Sequence, residues 1–502
     1  MTNKPRSSGL LAHLTSLPSP FGIGDLGIAA DRFIRFLDDA GQSYWQILPL
    51  CPTDLGSASS PYSSISAFAG NVLLISPEQL REQGLVTDDD LDGAPTGPEN
   101  KVDYAAVTAF KDRLISVARQ RLAEHPEIRN AFSIFCEHTK DWLEDFCLFA
   151  ALKEHFEGKA WTDWPEPLRD RQDDALAEIR GLLADRIEHH RLGQYLFFSQ
   201  FESMHEHCKD AGIKLIGDLP IYVNHDSVDV WSHPDYFKLD RTGRPTVVAG
   251  VPPDYFSPTG QLWGNPVYDW DHILNQDDTW WLRRMDHALT LFDVVRIDHF
   301  RGFAAYWEIP ADHETAIDGR WADGPGTAFF DRLTKRFNPL PVIAEDLGII
   351  TDDVRALMAQ YEIPGCRVLL FAFGDDLWDN PHKPHNHVEN CVVYTGTHDN
   401  NTAAGWFAEE TGPDERRRLE DTLGHATSPE QVSGDLCRLA LSSKANLSIL
   451  PIQDVLGLDG RARMNRPATI AGNWKWRLTA DQLTAEIAQR LRAETIASGR
   501  HQ

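Results

Sequence analysis

No run of about 18 consecutive apolar residues occurs in the sequence, so it offers no membrane-spanning helix. The N-terminal stretch lacks a signal peptide, because Gly9-Leu10-Leu11-Ala12 is a short apolar core that runs straight into His13. Cysteine is scarce: seven residues are scattered from Cys51 to Cys437, an odd total with no CxxC pair. That fits reduced thiols in a cytoplasm rather than a disulfide framework. Positive charge is also short, with 48 Lys and Arg against 75 Asp and Glu, and the net charge of −27 repels nucleic acid and anionic membranes. No P-loop, GxSxG elbow or basic–aromatic patch is present. These absences predict a soluble, cytoplasmic protein whose partner is neither nucleic acid nor membrane.

What the sequence does have is a set of eight short apolar runs, at 10–17, 44–50, 214–223, 293–299, 342–348, 367–373, 391–399 and 447–456, several ending in charged residues. Between many of them lie stretches of helical period, such as 28–40, which sets Phe33, Phe36, Leu37 and Ala40 on one face. Parallel strands covered on both faces read as continuous apolar runs. Eight of them alternating with helices predict a (β/α)8 TIM barrel, with a doubly wound open sheet as the alternative. Two intervals are too long for simple crossovers. Residues 76–200 are rich in helical pattern, as in Trp142, Phe146, Phe149, Leu152 and Phe156, and read as a mostly helical insertion. Residues 224–290 are rich in Pro, Gly, Asp and aromatics and read as long ordered loops on the rim. The barrel is then assigned 1–75 and 201–502, and too little chain follows the last run for a C-terminal β-sandwich.

Three of the runs end in carboxylates. In Val294-Val295-Arg296-Ile297-Asp298-His299, strand alternation puts Arg296 and Asp298 on one face, and an Arg beside an Asp favours the ionised carboxylate that a nucleophile needs. A structural Arg–Asp pair is the competing reading. In Val342-Ile343-Ala344-Glu345-Asp346 only one acid shares the face of Ile343, and parity selects Glu345. A partly desolvated Glu near other carboxylates acquires the raised pKa of a general acid. Asp346 is left as a candidate helix N-cap. In Val392-Val393-Tyr394-Thr395-Gly396-Thr397-His398-Asp399, the residues Val393, Thr395, Thr397 and Asp399 share one parity. Two closely spaced carboxyl groups suit retaining glycoside cleavage, with a third to hold sugar hydroxyls in the transition state.

These motifs resemble the amylomaltase, or 4-α-glucanotransferase, family of the α-amylase clan (glycoside hydrolase family 77). The resemblance covers nearly the whole chain. It takes in Gly22-Ile23-Gly24-Asp25-Leu26-Gly27, Trp45-Gln46, Ser60-Pro61-Tyr62, Gly217-Asp218-Leu219-Pro220-Ile221-Tyr222-Val223, Asn473-Trp474 and Trp476-Arg477. It implies Asp298 as nucleophile, Glu345 as acid/base and Asp399 as transition-state stabiliser, with Asp218, Arg296, His299 and His398 lining the donor sugar site. It also implies that 250–266 is a loop over the cleft, where Tyr255, Phe256 and Trp263 cover glucose rings while Asp254 and Gln261 bind hydroxyls. Tyr62 resembles an aromatic of a second glucan site. No cofactor or metal is implied, and the implied partners are α-1,4-glucans and maltooligosaccharides. The implied activity moves α-1,4-glucan segments to another sugar by a retaining double displacement. An α-amylase-type hydrolase is the alternative, since the same carboxylates serve both. The chain departs from the family in having Ser60 where an Asp usually precedes Pro-Tyr, in the stretch 51–56, and in Ala468 where Gly is usual.

Two motifs point elsewhere. Gly22-Ile23-Gly24-Asp25-Leu26-Gly27 matches GxGxxG before a helix, but Asp25 sets an anion inside the turn and Pro18 and Pro20 break the strand that should precede it. His205-Glu206-His207-Cys208 suggests a metal, yet residues two apart on a helix do not share a face, so a solvated helix end is expected.

Overall fold

The computed structural model describes residues 5–253, 257–276, 279–375, 377–469 and 471–501 of the chain. Asp254, Tyr255 and Phe256, assigned above to the cleft loop, lie outside the described residues. Among the described residues, twelve strands are numbered in chain order: β1 (Ser7–Leu11), β2 (Tyr44–Gln46), β3 (Lys214–Pro220), β4 (Val247–Val251), β5 (Gln261–Pro266), β6 (Val294–Asp298), β7 (Ala305–Pro310), β8 (Arg320–Asp323), β9 (Val342–Ala344), β10 (Gly365–Val368), β11 (Cys391–Tyr394) and β12 (Leu447–Pro451). Eight of them, in the order β1-β2-β3-β6-β9-β10-β11-β12, pair in parallel and close into a barrel. Each of the eight apolar runs supplies one of these strands. No strand follows β12 among the described residues.

The wall is apolar because both of its faces are covered. Trp45, Leu215, Ile216, Val295, Ile297, Ile343, Val393 and Ile449 are all buried. A polar tie spans the barrel interior from β11 to β2, where the Tyr394 hydroxyl donates to Gln46 Oε1 at 2.9 Å. The seam between β1 and β12 is stapled by Arg500, whose buried guanidinium donates to the carbonyls of Ser7, Leu441 and Ser443. Such a charge is tolerated because its donors are met by carbonyls that would otherwise be orphaned.

Residues 77–210 carry the long helices Tyr104–Arg121, Pro126–His138, Lys140–His155 and Ala184–Asp210. The 27-residue helix Ala184–Asp210 runs unbroken through residue 200. Its second half packs on the barrel, with Phe201 edge-on to Phe292 at 6.0 Å. No helix among the described residues is long and apolar enough to cross a membrane.

The interval 224–290 differs from the expected loops. It contributes β4 and β5 to a four-stranded antiparallel sheet of order β5-β4-β7-β8, whose other two strands come from 305–323. The β4–β7 pairing spans dozens of residues, so no hairpin signal marks it locally. The GxGxxG string is a packed turn. A Cβ on Gly24 would stand 1.9 Å from the Leu14 carbonyl oxygen, and one on Gly27 would stand 2.2 Å from Ser76 Oγ. The glycines admit neighbouring chain, and Asp25 is buried, accepting from Ser19 Oγ and Gly27 N. The solvated helix end expected at 205–208 is corrected in half its residues. His205 and Cys208 are buried, with His205 Nε2 3.2 Å from Asp293, while His207 is exposed and bonds Asp31 at 2.8 Å on another side.

Candidate active site

The carboxylates gather where the barrel strands end. Asp298 closes β6, Glu345 follows β9, and Asp399 stands in the turn after β11, at the fourth, fifth and seventh barrel strands. Strand alternation delivers Arg296 beside Asp298, with Nη1 donating to Asp298 Oδ1 at 3.0 Å. The same Nη1 reaches both oxygens of Asp218 on β3 at 2.7 Å, and the Tyr62 hydroxyl donates to Asp218 Oδ2 at 2.7 Å. Asp218 was expected to line the sugar site. Its side chain has 0% exposure, so it instead anchors Arg296 and Tyr62 from beneath the cleft. Tyr62 also moves from its expected place. It belongs to this cluster rather than to a separate site, lying against the His398 ring at 5.0 Å with 19° between planes.

The chain turns sharply after Asp298. His299 adopts φ 52°, in the left-handed region, at a cost of about 1 kcal/mol for a residue with a Cβ. The turn aims the His299 N–H at Glu345 Oε2 (2.7 Å), while Leu347 N–H donates to Oε1 (2.8 Å). Glu345 is therefore positioned by two main-chain donors. Burial pushes its carboxyl up to about 8, with the negative charge of Asp298 adding to the shift. Burial also raises Asp298, to about 6, but the Arg296 guanidinium opposes that rise and Asp298 keeps one side open to the cleft. The pair thus divides its protons, with Asp298 ionising first and Glu345 holding its proton longer. His299 is neutral, its pKa pushed down to about 3 by burial and then by Arg301.

The neighbouring acid, Asp346, faces the other way. It does not cap a helix. Its oxygens accept from Cys366 N (2.6 Å) and Arg367 Nη1 (2.9 Å), pinning β10 to the end of β9. Thr351 is the N-cap residue of the next helix, Asp352–Gln360.

Asp399 keeps 47% of its side chain exposed to the cleft. Asn465 Nδ2 donates to its Oδ1 at 2.6 Å, Arg463 donates to its main-chain oxygen at 2.8 Å, and His398 Nε2 lies 3.4 Å from Oδ1. The turn that carries it is clamped by fully buried Asp454, which accepts from Thr395 Oγ1 (2.5 Å) at one end and Ala403 N (2.7 Å) at the other. Trp474 completes the wall, 5.7 Å from Tyr62 and 5.9 Å from His398 by ring centroids. Asn465, Arg463, Asp454 and Trp474 went unassigned in the sequence. Trp474 had a signal as part of the Asn473-Trp474 string, and Asn465 as the first residue of the family stretch 465–469 that carries Ala468.

On the opposite wall β5 presents Trp263 edge-on to His299, 4.7 Å between centroids, and Tyr222 lies 6.3 Å from Trp263. Gln261 shares the Trp263 face of the strand and accepts from its indole N–H at 3.1 Å. Two family departures have visible consequences. Ser60 Oγ accepts from Tyr62 N at 3.3 Å, the short side-chain turn that an Asp makes in the same place. Ala468 has φ 60°, the left-handed conformation for which Gly is suited, so it carries strain that Gly avoids.

Residues 12–484 match the family model described as 4-alpha-glucanotransferase. The chain is 48% identical over 504 residues to a 4-alpha-glucanotransferase of Thermus thermophilus, with 99% of each covered. It is 44% identical over 507 residues to the chloroplastic/amyloplastic 4-alpha-glucanotransferase of Solanum tuberosum, covering 99% of this chain and 87% of that one. An amylomaltase from Streptococcus agalactiae, solved in complex with acarbose, superposes with a TM-score of 0.95 at 38% identity, over 99% of this chain and 100% of the other.

Proposed function

The chain belongs to the 4-alpha-glucanotransferase family, and on that premise we propose that it moves α-1,4-glucan segments between maltooligosaccharides by a retaining double displacement. The supporting observation is the divided carboxylate pair, with Asp298 ion-paired to Arg296 and Glu345 held on two backbone amides and kept protonated by burial. An Asp298 oxygen attacks the anomeric carbon as the bond to the leaving oxygen breaks, and Glu345 gives that oxygen its proton. A glucosyl ester on Asp298 results. The 4-hydroxyl of an incoming sugar then attacks the same carbon, passing its proton to Glu345 and releasing Asp298. Asp399, open to the cleft and steadied by Asn465, takes hydroxyls of the sugar as it flattens toward an oxocarbenium ion. No cofactor enters. The seven cysteines, all unpaired, and the strongly negative charge support a cytoplasmic setting with neutral glucan partners, away from nucleic acid and membranes. The regions 1–75 with 201–502, including the rim segment 224–290, would act as the catalytic unit and 76–200 as its helical insertion.

Transfer conserves the number of glycosidic bonds. Maltotriose should yield glucose and a ladder of longer chains with almost no rise in reducing ends, and a rise in step with maltotriose consumption would turn the assignment to hydrolysis. Water stands at tens of molar, so a sugar wins only if it is held, and orientation supplies effective molarities of roughly 10⁵ M or more. Trp263, in edge-on contact with His299, is the candidate for that hold. Trp263→Ala should tilt products toward free reducing ends, and an unchanged transfer-to-hydrolysis ratio would remove Trp263 from the acceptor site.

A further inference from the structure

Among the described residues, the most exposed aromatic side chain stands outside the cluster described above. Trp378 is 77% exposed, and Leu377 beside it is 61% exposed. A single apolar side chain in water is ordinary, but two in succession, Leu377 and Trp378, mark a candidate contact surface. Trp378 is also held. The His385 ring stacks on it, with centroids 4.2 Å apart and 25° between planes. Its carbonyl is bonded by His385 Nε2 (3.0 Å) and Asn386 Nδ2 (2.6 Å), the latter also reaching the Asn380 carbonyl. One indole face is therefore covered and the other is presented open, in an orientation already fixed.

The segment lies on the mouth side of the barrel. Asn380 Nδ2 donates to the carbonyl of Phe371, three residues past β10, and His382 Nδ1 accepts from Val368 N at the end of that strand. β10 neighbours β9, which leads into Glu345, so Trp378 is on the same rim as the carboxylates, one strand along. Phe371, 39% exposed, lies between the strand end and Trp378. Asp379, the next residue in the chain, is exposed and carries a carboxylate able to accept from hydroxyls.

We propose that Trp378, backed by His385, is a rim platform that binds a glucose ring of a long α-1,4-glucan outside the cleft. The inference rests on the transfer reading. The apolar C–H face of a glucose ring matches a flat indole, a neighbouring carboxylate takes its hydroxyls, and a neutral polymer is free of the repulsion that a net charge of −27 imposes on anionic ligands. Because the platform is pre-organised, little side-chain entropy is lost when a ring docks.

The test is native electrophoresis through gels containing amylose, with turnover blocked by Asp298→Asn. The blocked enzyme should be retarded, adding Trp378→Ala should weaken retention by about tenfold, as loss of one buried indole face implies, and Trp378→Phe should recover most of it. Equal retention with and without Trp378→Ala overturns the platform. So does an unretarded blocked enzyme when the wild type disproportionates maltotriose. If the wild type does not act on maltotriose at all, the transfer reading itself has failed.

Discussion

Asp298→Asn should leave a folded protein with at most about one ten-thousandth of the wild-type rate, a loss of roughly 5 kcal/mol of transition-state stabilisation. The fold should survive because Arg296 keeps both of its bonds to Asp218 when Asp298 loses its charge. Thermal melts should therefore nearly superimpose, and kcat on maltotriose is the quantity that collapses. A variant retaining more than about a tenth of the activity would remove Asp298 from the nucleophile's role. Stereochemistry gives a second check. With Asp298→Gly, azide can enter the vacated space and attack an α-glucosyl fluoride directly, displacing fluoride with inversion, so the product should be β-glucosyl azide. An α product would mean that another group forms the ester.

The barrel was legible because its strands are buried on both sides and read as unbroken apolar runs. The limits of those runs were less so. The first run was placed at 10–17, yet β1 is Ser7–Leu11, because the chain beyond the strand stays buried through the short helical turn Leu14–Ser16. The run at 367–373 likewise slipped past β10, Gly365–Val368. Burial without strand geometry has the same hydrophobic signature as burial within it. The four-stranded sheet is hidden for another reason, since β4 pairs with β7 across a segment that holds β5, two α-helices and β6, and no local pattern encodes that partnership.

Within the site, alternation worked where a strand carries it. Arg296 meets Asp298 at 3.0 Å on β6, while Glu345 and Asp346, one and two residues past the end of β9, are turned to different neighbours by the hydrogen bonds they accept. Alternation has no meaning past the end of β11 at Tyr394. Thr395 points to Asp454 while Asp399, of the same parity, faces the cleft, because the turn between them is shaped by hydrogen bonds and not by a pleat. The partners that steady the cluster were invisible for the same reason as the sheet. Asn465 lies 66 residues from Asp399 in sequence, and Tyr62 lies 156 from Asp218. Only the closed fold brings them together.

Glu345→Gln should separate donors by their leaving groups. A departing sugar hydroxyl needs a proton, so kcat/KM on maltotriose should fall by about 10³-fold or more, at the upper part of what general acid catalysis contributes. Fluoride leaves without that help, so formation of the glucosyl ester from α-glucosyl fluoride should fall by far less. Equal losses on the two donors would make Glu345 a structural residue. Azide again reports the route. In this variant Asp298 still forms the ester and azide replaces it in a second inversion, so the product should be α-glucosyl azide, the opposite anomer from that of Asp298→Gly. The pH profile provides the remaining readout. In the wild type, kcat/KM should fall as the pH drops through about 6, where Asp298 takes a proton, and fall again as it rises through about 8, where Glu345 loses the proton it must donate. Gln cannot ionise. In the residual turnover of maltotriose, Glu345→Gln should abolish the alkaline limb and leave the acid limb in place. An alkaline limb that persists in the variant would assign it to a group other than Glu345.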